Sequence, residues 1–139
     1  MRWAFVFAHV GILIFFMGLS LLLPVLAGVY YEDGSARPLM EAFLIAVFFG
    51  ITLFAVFRQE KAEYISQREG MAIVAIGWTA VGLFGALPFY FSGFFPTFAD
   101  AFFESVSGFT TTGASVLTDI EAVPPGLLLW RSFIQWLGG

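Results

Sequence analysis

The sequence predicts an all-α integral membrane protein with several membrane-crossing helices, and three observations carry that prediction. Of the 139 residues, 60% are hydrophobic and only 12% are charged, whereas a soluble domain carries roughly a quarter charged residues. The apolar residues gather in three long stretches separated by short polar loops, and a fourth, phenylalanine-rich stretch is shorter and runs into threonine and glycine. The mean hydropathy of +0.91 excludes a disordered chain, which could not keep so much apolar surface solvated. The absence of cysteine excludes a disulfide framework, cysteine-bound zinc, iron–sulfur clusters and thiol catalysis, and a single histidine leaves no usual metal-ligand cluster. A net charge of -4 with six basic residues provides no cationic face for nucleic acid.

The first apolar stretch, Ala4 to Val29, exceeds the ~20 residues needed to cross a bilayer, so it is expected to span, with Pro24 bending it or helping to end it. Arg2 and the small residues after Leu26 also fit a secretory signal, but the apolar part of such a signal is only about 7–15 residues long. The second, Leu39 to Phe57, follows a turn-rich polar loop and is charge-free apart from Glu41, which makes it a second span. The third, Met71 to Phe91, contains Gly77, Gly82 and Gly85, whose missing side chains permit close helix approach, and Pro88 and Pro96 are expected to bracket its exit.

Basic residues set the direction. Arg58, Lys61 and Arg68 share the short loop between spans two and three, while Arg37 is alone in the preceding loop. This places residues 58 to 69 and the N-terminus with Arg2 in the cytoplasm. Glu32, Asp33, Asp119 and Glu121 then face outward as an acidic rim, either as ordinary solvated loop or as a weak attractor of cations.

From Phe98 to Phe109 the next helix has about 12 residues, or ~18 Å, against a hydrocarbon core of ~30 Å. It can enter a membrane without crossing it. Thr97 and Asp100 resemble a capping box at its start. Phe98, Phe102, Ser105 and Phe109 form one stripe, and Asp100, Glu104 and Ser107 form a polar one. An interfacial helix lying flat on the outer surface is the plainer alternative, but such helices carry Lys or Arg on the polar face and this one has none.

Thr110-Thr111-Thr112-Gly113-Ala114-Ser115 is poor helix material, since β-branched side chains are stiff and glycine opens other backbone conformations, so the helix is expected to end and the chain to extend. Irregular backbone at membrane depth is tolerated only when buried in protein or lining water. A monovalent cation suits such a stretch, because a row of carbonyl oxygens can replace its hydration shell and the helix C-terminus points negative charge toward it.

A last apolar run, Gly126 to Gly139, gives only about 14 residues, ~21 Å, and is expected to be a truncated helix. Within it Arg131 either snorkels or pairs with Glu104 or Asp100 to hold the short helix. Asp100 and Glu104, with no histidine nearby and no nucleophile motif, make a poor metal or hydrolytic pair, so no enzyme is expected. His9 is expected in helix packing, and Trp3, Trp130, Tyr30, Tyr31 and Tyr64 at membrane boundaries.

The run from Asp100 to Ala114, Asp-Ala-Phe-Phe-Glu-Ser-Val-Ser-Gly-Phe-Thr-Thr-Thr-Gly-Ala, resembles the first pore loop of the Trk/Ktr potassium uptake family, TrkH type. The likeness continues through Trp130 to Gly139 and back to Arg68-Glu69-Gly70. It implies residues 1–69 as a two-helix transmembrane region with its cytoplasmic loop. Residues 70–139 would be a first M1-pore helix-filter loop-M2 unit of the potassium channel type, incomplete in M2.

By the same resemblance, potassium is the transported ion, met by the backbone carbonyls of Thr111, Thr112, Gly113 and Ala114, with Gly113 as the filter's central glycine; no organic cofactor is implied. The implied partners are the remaining pore repeats of a four-repeat chain, a second copy in a homodimer, membrane lipid and a cytoplasmic nucleotide-binding subunit of the TrkA/KtrA type. The implied location is the bacterial inner membrane. The alternative is a non-conducting membrane interaction or assembly fragment in which the Thr-Gly loop is fortuitous.

Overall fold

The computed structural model describes residues 1–58 and 64–139, so Lys61, one of the residues behind the expected orientation, lies outside the described residues. Among them there are helices and no strand. Three helical segments, Trp3–Tyr31, Ala36–Phe57 and Gln67–Ser92, are long and apolar enough to cross a membrane. The chain is therefore a multi-pass membrane protein.

The first segment is two helices, α1 (Trp3–Ser20) and α2 (Leu22–Tyr31), interrupted at Leu21. Pro24 explains the break. It has no N–H for the Ser20 carbonyl and its ring crowds that turn, and the Leu21 N–H closes a tighter bond to Gly18 O at 3.1 Å. Helix α3 (Ala36–Phe57) begins three residues before the apolar run. Pro38 is its third residue, where no intrahelical donor is needed, so the proline fits inside the first turn.

Helix α4 (Gln67–Ser92) also starts early, because Ser66 and Glu69 form a capping box. The Glu69 N–H donates to Ser66 Oγ at 3.3 Å and the Ser66 N–H to Glu69 Oε2 at 3.2 Å. The exit of α4 falls between Pro88 and Pro96, as the sequence suggested: the helix runs through Pro88 to Ser92 and closes at Gly93 with φ 78°. One lost backbone bond is tolerated in a helix whose turn around Pro88 is packed against the rest of the protein, with Ala86, Pro88 and Phe89 buried. Glu69 is also the partner of Arg2, whose Nε and Nη2 donate to it at 2.8 and 2.6 Å and whose backbone N–H adds a third bond at 3.0 Å. This clasp fixes the beginning of α1 to the beginning of α4.

At the opposite end, α2 packs against α6 (Pro125–Gly138). Gly28 and Gly126 meet there, with Gly126 against the Gly28 backbone and the Ser35 hydroxyl. Asp33 closes the contact. Its Oδ2 accepts the Gly126 N–H at 2.9 Å, capping a helix whose own N-cap, Pro124, has no side-chain acceptor, and its Oδ1 accepts from Ser35 N and Oγ at 2.9 and 2.6 Å. Glu32, Asp119 and Glu121 are exposed, but Asp33 belongs to this helix cap and not to an acidic rim. Burial alone would raise the Asp33 pKa; the bonds from the Ser35 hydroxyl and from the Gly126 and Ser35 amides outweigh it and hold the carboxyl below its ordinary range.

A carboxyl pKa lowered by folding contributes stability above the unfolded value of about 3.9 and loses it as pH falls through the folded value. Asp33→Asn should lower the thermal midpoint of the detergent-solubilised chain at neutral pH, and the gap to the parent should narrow as the pH is taken below about 4. A gap of constant size from pH 7 to 3 would show that the charged form contributes nothing.

Candidate functional site

Helix α5 (Phe98–Phe109) has 12 residues and begins where the sequence places it. Thr97 caps it, accepting the Asp100 N–H at 3.2 Å and donating its hydroxyl to Asp100 Oδ2 at 2.9 Å. One side of α5 lies on a glycine shelf of α4. A Cβ at Gly85 would fall 2.6 Å from the Phe109 ring and 2.7 Å from Ser105 Oγ, and one at Gly82 would fall 3.0 Å from Val106. From the other side, α6 presses Ile134 against Gly108 and Gly138 against the Phe109 backbone. Trp130, expected at a membrane boundary, is wholly buried, and its indole N–H donates to the Gly85 carbonyl at 3.1 Å. One turn before Pro88, all three helices of this region therefore converge on Gly85.

The end of α5 is a Schellman turn: the Thr112 N–H reaches Ser107 O at 2.9 Å and the Thr111 N–H reaches Gly108 O at 3.0 Å. This turn requires a left-handed residue, and Thr111 supplies it with φ 56°. A β-branched residue there costs about 1–2 kcal/mol relative to glycine. The Thr110 hydroxyl helps to stop the helix by donating to Val106 O at 2.7 Å and sharing a 2.8 Å bond with the Thr112 hydroxyl. Gly113 follows with φ 79° and open space where a Cβ would stand.

The chain then runs back along α5 and is fastened to its polar stripe. Ser107 Oγ donates to the Ala114 carbonyl at 2.6 Å. Ser115 Oγ donates to Glu104 at 2.8 Å and the Val116 N–H donates to Glu104 Oε2 at 3.1 Å. Arg131 Nε, from α6, donates to Glu104 Oε1 at 2.6 Å. Glu104 is 2% exposed and Ser107 6%, so protein covers the polar stripe as well as Ser105 and Phe109 of the other, and α5 does not turn a solvated polar face outward as a surface helix would.

Of the residues singled out in the sequence, Glu104 and Arg131 are brought together, while Asp100 stays at the other end of α5 as part of its cap. Thr111, Thr112, Gly113 and Ala114 are consecutive and exposed. Among the described residues no donor reaches the carbonyls of Thr111, Thr112 or Gly113, whereas Ala114 O is taken by Ser107. Three free carbonyl oxygens beside a helix C-terminus form a site of negative potential suited to a desolvated cation. Sequence reasoning did not assign Ser107 and Ser115 their roles; their partners lie 7 and 11 residues away, which no local spacing rule covers. The Arg2–Glu69 clasp was also missed, although Ser66-Gln67-Arg68-Glu69 has the capping-box spacing.

Removing one partner of a buried ion pair leaves an uncompensated charge and costs about 3–5 kcal/mol. Arg131→Ala should therefore destabilise strongly in thermal melts followed by size-exclusion fluorescence, and Glu104→Ala with it should cost less than the two single losses added. Additive losses would mean that the two side chains act independently.

The comparisons with known proteins follow the same outline. The family model for TrkH, a cation transport protein, matches residues 37–139. The Trk system potassium uptake protein TrkH of Escherichia coli (strain K12) is 42% identical over 132 residues, covering 94% of this chain and 27% of that protein. Its counterpart in Vibrio parahaemolyticus is 37% identical over 132 residues with the same shares. The crystal structure of the potassium transporter TrkH from Vibrio parahaemolyticus superposes with a TM-score of 0.91 at 36% identity, covering 99% of this chain and 30% of that one. The chain thus spans about a quarter to a third of the length of these relatives. With most of its residues matched by the family model, this chain belongs to the TrkH family of cation transport proteins.

Proposed function

We propose that this chain supplies one wall of the ion path of a potassium uptake system. In this reading α4 is the M1 helix, α5 the pore helix, residues 111–114 the filter loop and α6 the M2 helix, with α1 to α3 as a preceding two-span region. The observation that carries it is the set of free carbonyls of Thr111, Thr112 and Gly113 at the C-terminal end of a short helix buried between α4 and α6. The potassium assignment rests on the names of the Escherichia coli and Vibrio relatives. Further repeats close the ring around the ion, a second copy makes a dimer, and a cytoplasmic nucleotide-binding subunit of the TrkA type regulates it. The bacterial inner membrane is the location, with the N-terminus inside. In support, Arg2 and Arg68 lie at the helix starts that the Arg2–Glu69 clasp joins, Arg58 ends α3 next to Phe57, which packs on Phe7 of α1, and Arg37 lies at the other end of α3.

The test uses an intact transporter in which this chain replaces the matching 27% of the Escherichia coli relative, expressed in cells lacking their own potassium uptake. Gly113→Ser forces a side chain onto φ 79° and should lower the potassium-over-sodium uptake ratio by about fivefold or more, the weight of ~1–2 kcal/mol of backbone strain. Thr112→Ser keeps the hydroxyl and the main chain and should be milder. Unchanged selectivity in Gly113→Ser with a large loss in Thr112→Ser would assign selectivity to hydroxyls and sink the carbonyl reading.

Orientation is read separately. Because the chain has no cysteine, Glu121→Cys and Gln67→Cys, both at exposed positions, each introduce a single thiol into this segment. An impermeant thiol reagent should label Glu121→Cys in intact cells and reach Gln67→Cys only after permeabilisation; the reverse pattern would invert the topology.

A further inference from the structure

The polar stripe of α5 holds the returning strand at Ser107 and Glu104, and the peptide geometry of that strand decides which oxygens are free. In a trans peptide the C=O and the following N–H point in opposite directions. The Thr112 N–H points at α5, bonded to Ser107 O at 2.9 Å, so the Thr111 carbonyl of the same peptide points away from α5. The Val116 N–H points at α5 through Glu104, so the Ser115 carbonyl also points away. Ala114 is the reverse case: its carbonyl points into α5 and is held by the Ser107 hydroxyl at 2.6 Å.

Ser107 is well suited to this hold. A serine inside a helix ordinarily returns its hydroxyl to the carbonyl three or four residues earlier, yet Ser107 bonds seven residues forward. It is 6% exposed, so water has little access to compete for the bond. Its own carbonyl holds Thr112, so one residue fixes both ends of the segment between Thr112 and Ala114.

We propose that Ser107 is a positioning residue for ion selectivity: its hydroxyl turns the Ala114 carbonyl off the ion path, so that the ion meets oxygens without a protein partner, such as that of Thr111, and not that of Ala114. The proposal rests on the reading of this loop as an ion path. Without the hydroxyl, the peptide between Ala114 and Ser115 has no donor for its oxygen on the α5 side and is free to rotate. A further carbonyl then competes for the ion.

The experiment uses the same intact transporter, comparing Ser107→Ala, Ser107→Thr and Ser107→Cys by initial rates of potassium and sodium uptake. Ser107→Ala should lower the potassium-over-sodium ratio about threefold to tenfold, the range that one net hydrogen bond supports. The change should lie in the KM for potassium more than in the maximal rate. Ser107→Thr, which keeps the hydroxyl, should restore the ratio. Loss of properly folded protein alone lowers both uptakes together and leaves the ratio unmoved. A ratio within twofold of the parent in Ser107→Ala overturns the proposal, as does an equal loss in Ser107→Thr. Should Ser107→Ala fail to reach the membrane, Ser107→Cys, close in volume but with a thiol too weak a donor to replace the hydroxyl's bond, is read by the same ratio, and an unchanged value again overturns it. Gly113→Ser separates the two levels: if it leaves selectivity intact the ion-path reading fails, and if it alone changes selectivity only the role of Ser107 fails.

Discussion

The buried carboxylate of Glu104 is the point on which the arrangement of the polar loop depends. Backbone outside a helix, in a membrane, must find its hydrogen bonds within the protein. Glu104 meets that demand for the returning strand by accepting from the Ser115 hydroxyl and the Val116 amide, while Arg131 brings α6 against the same carboxylate. A neutral acceptor could take the first two bonds. It would not hold α6 by charge, and an arginine with only 18% of its side chain exposed would then lack a counterion. Helix, strand and second helix are thus set in one register by a group that is buried because it has three partners.

The rest of the chain keeps that register in place from its two ends. Arg2 and Glu69 join the start of α1 to the start of α4, and Asp33 joins the α2–α3 turn to the start of α6. Both clasps tie the N-terminal helices to the helices that flank α5. Between them the contacts are glycine against glycine or glycine against side chain: Gly11 with Gly50, Gly28 with Gly126, and Gly82 and Gly85 with α5. Apolar burial gives helices no preference for one another over lipid tails, so close packing and a few polar bonds decide the neighbours. Gly85 shows the combination, with its Cα facing Ser105 and Phe109 and its carbonyl taking the Trp130 indole.

What the sequence made legible was what hydropathy and local spacing encode. Three crossing stretches follow from apolar run length, and the span of α5 follows from a cap at Thr97 and a β-branched stop at Thr110. The start of α4 was missed because a polar residue can be helical: α4 reaches back to Gln67 through a capping box, whereas its exit at Gly93 lies between Pro88 and Pro96 as expected. Side-chain destinations were less legible. Asp33 and Trp130 have the composition of a loop acid and a boundary aromatic, and only the packing of α2 and α4 against α6 turns them into a helix cap and a core residue. The polar stripe Asp100, Glu104, Ser107 was visible as a period, but its inward direction depends on a strand that returns 7 to 12 residues later.

The turn at Thr111 connects these levels. A Schellman turn ordinarily takes glycine at its left-handed position, and glycine stands two residues further on at Gly113. With Thr111 at φ 56°, the fold accepts about 1–2 kcal/mol of local strain. In return the stiff side chain narrows the conformations of the segment whose carbonyls have no partner, and the Thr110 and Thr112 hydroxyls bond to each other next to it. A glycine at both positions would relieve the strain but leave the free oxygens on a backbone with many accessible directions. The strain is therefore confined to the start of the segment whose carbonyls have no partner among the described residues. It persists because Ser107 and Gly108 hold the turn on one side and Ser107 and Glu104 hold the strand on the other.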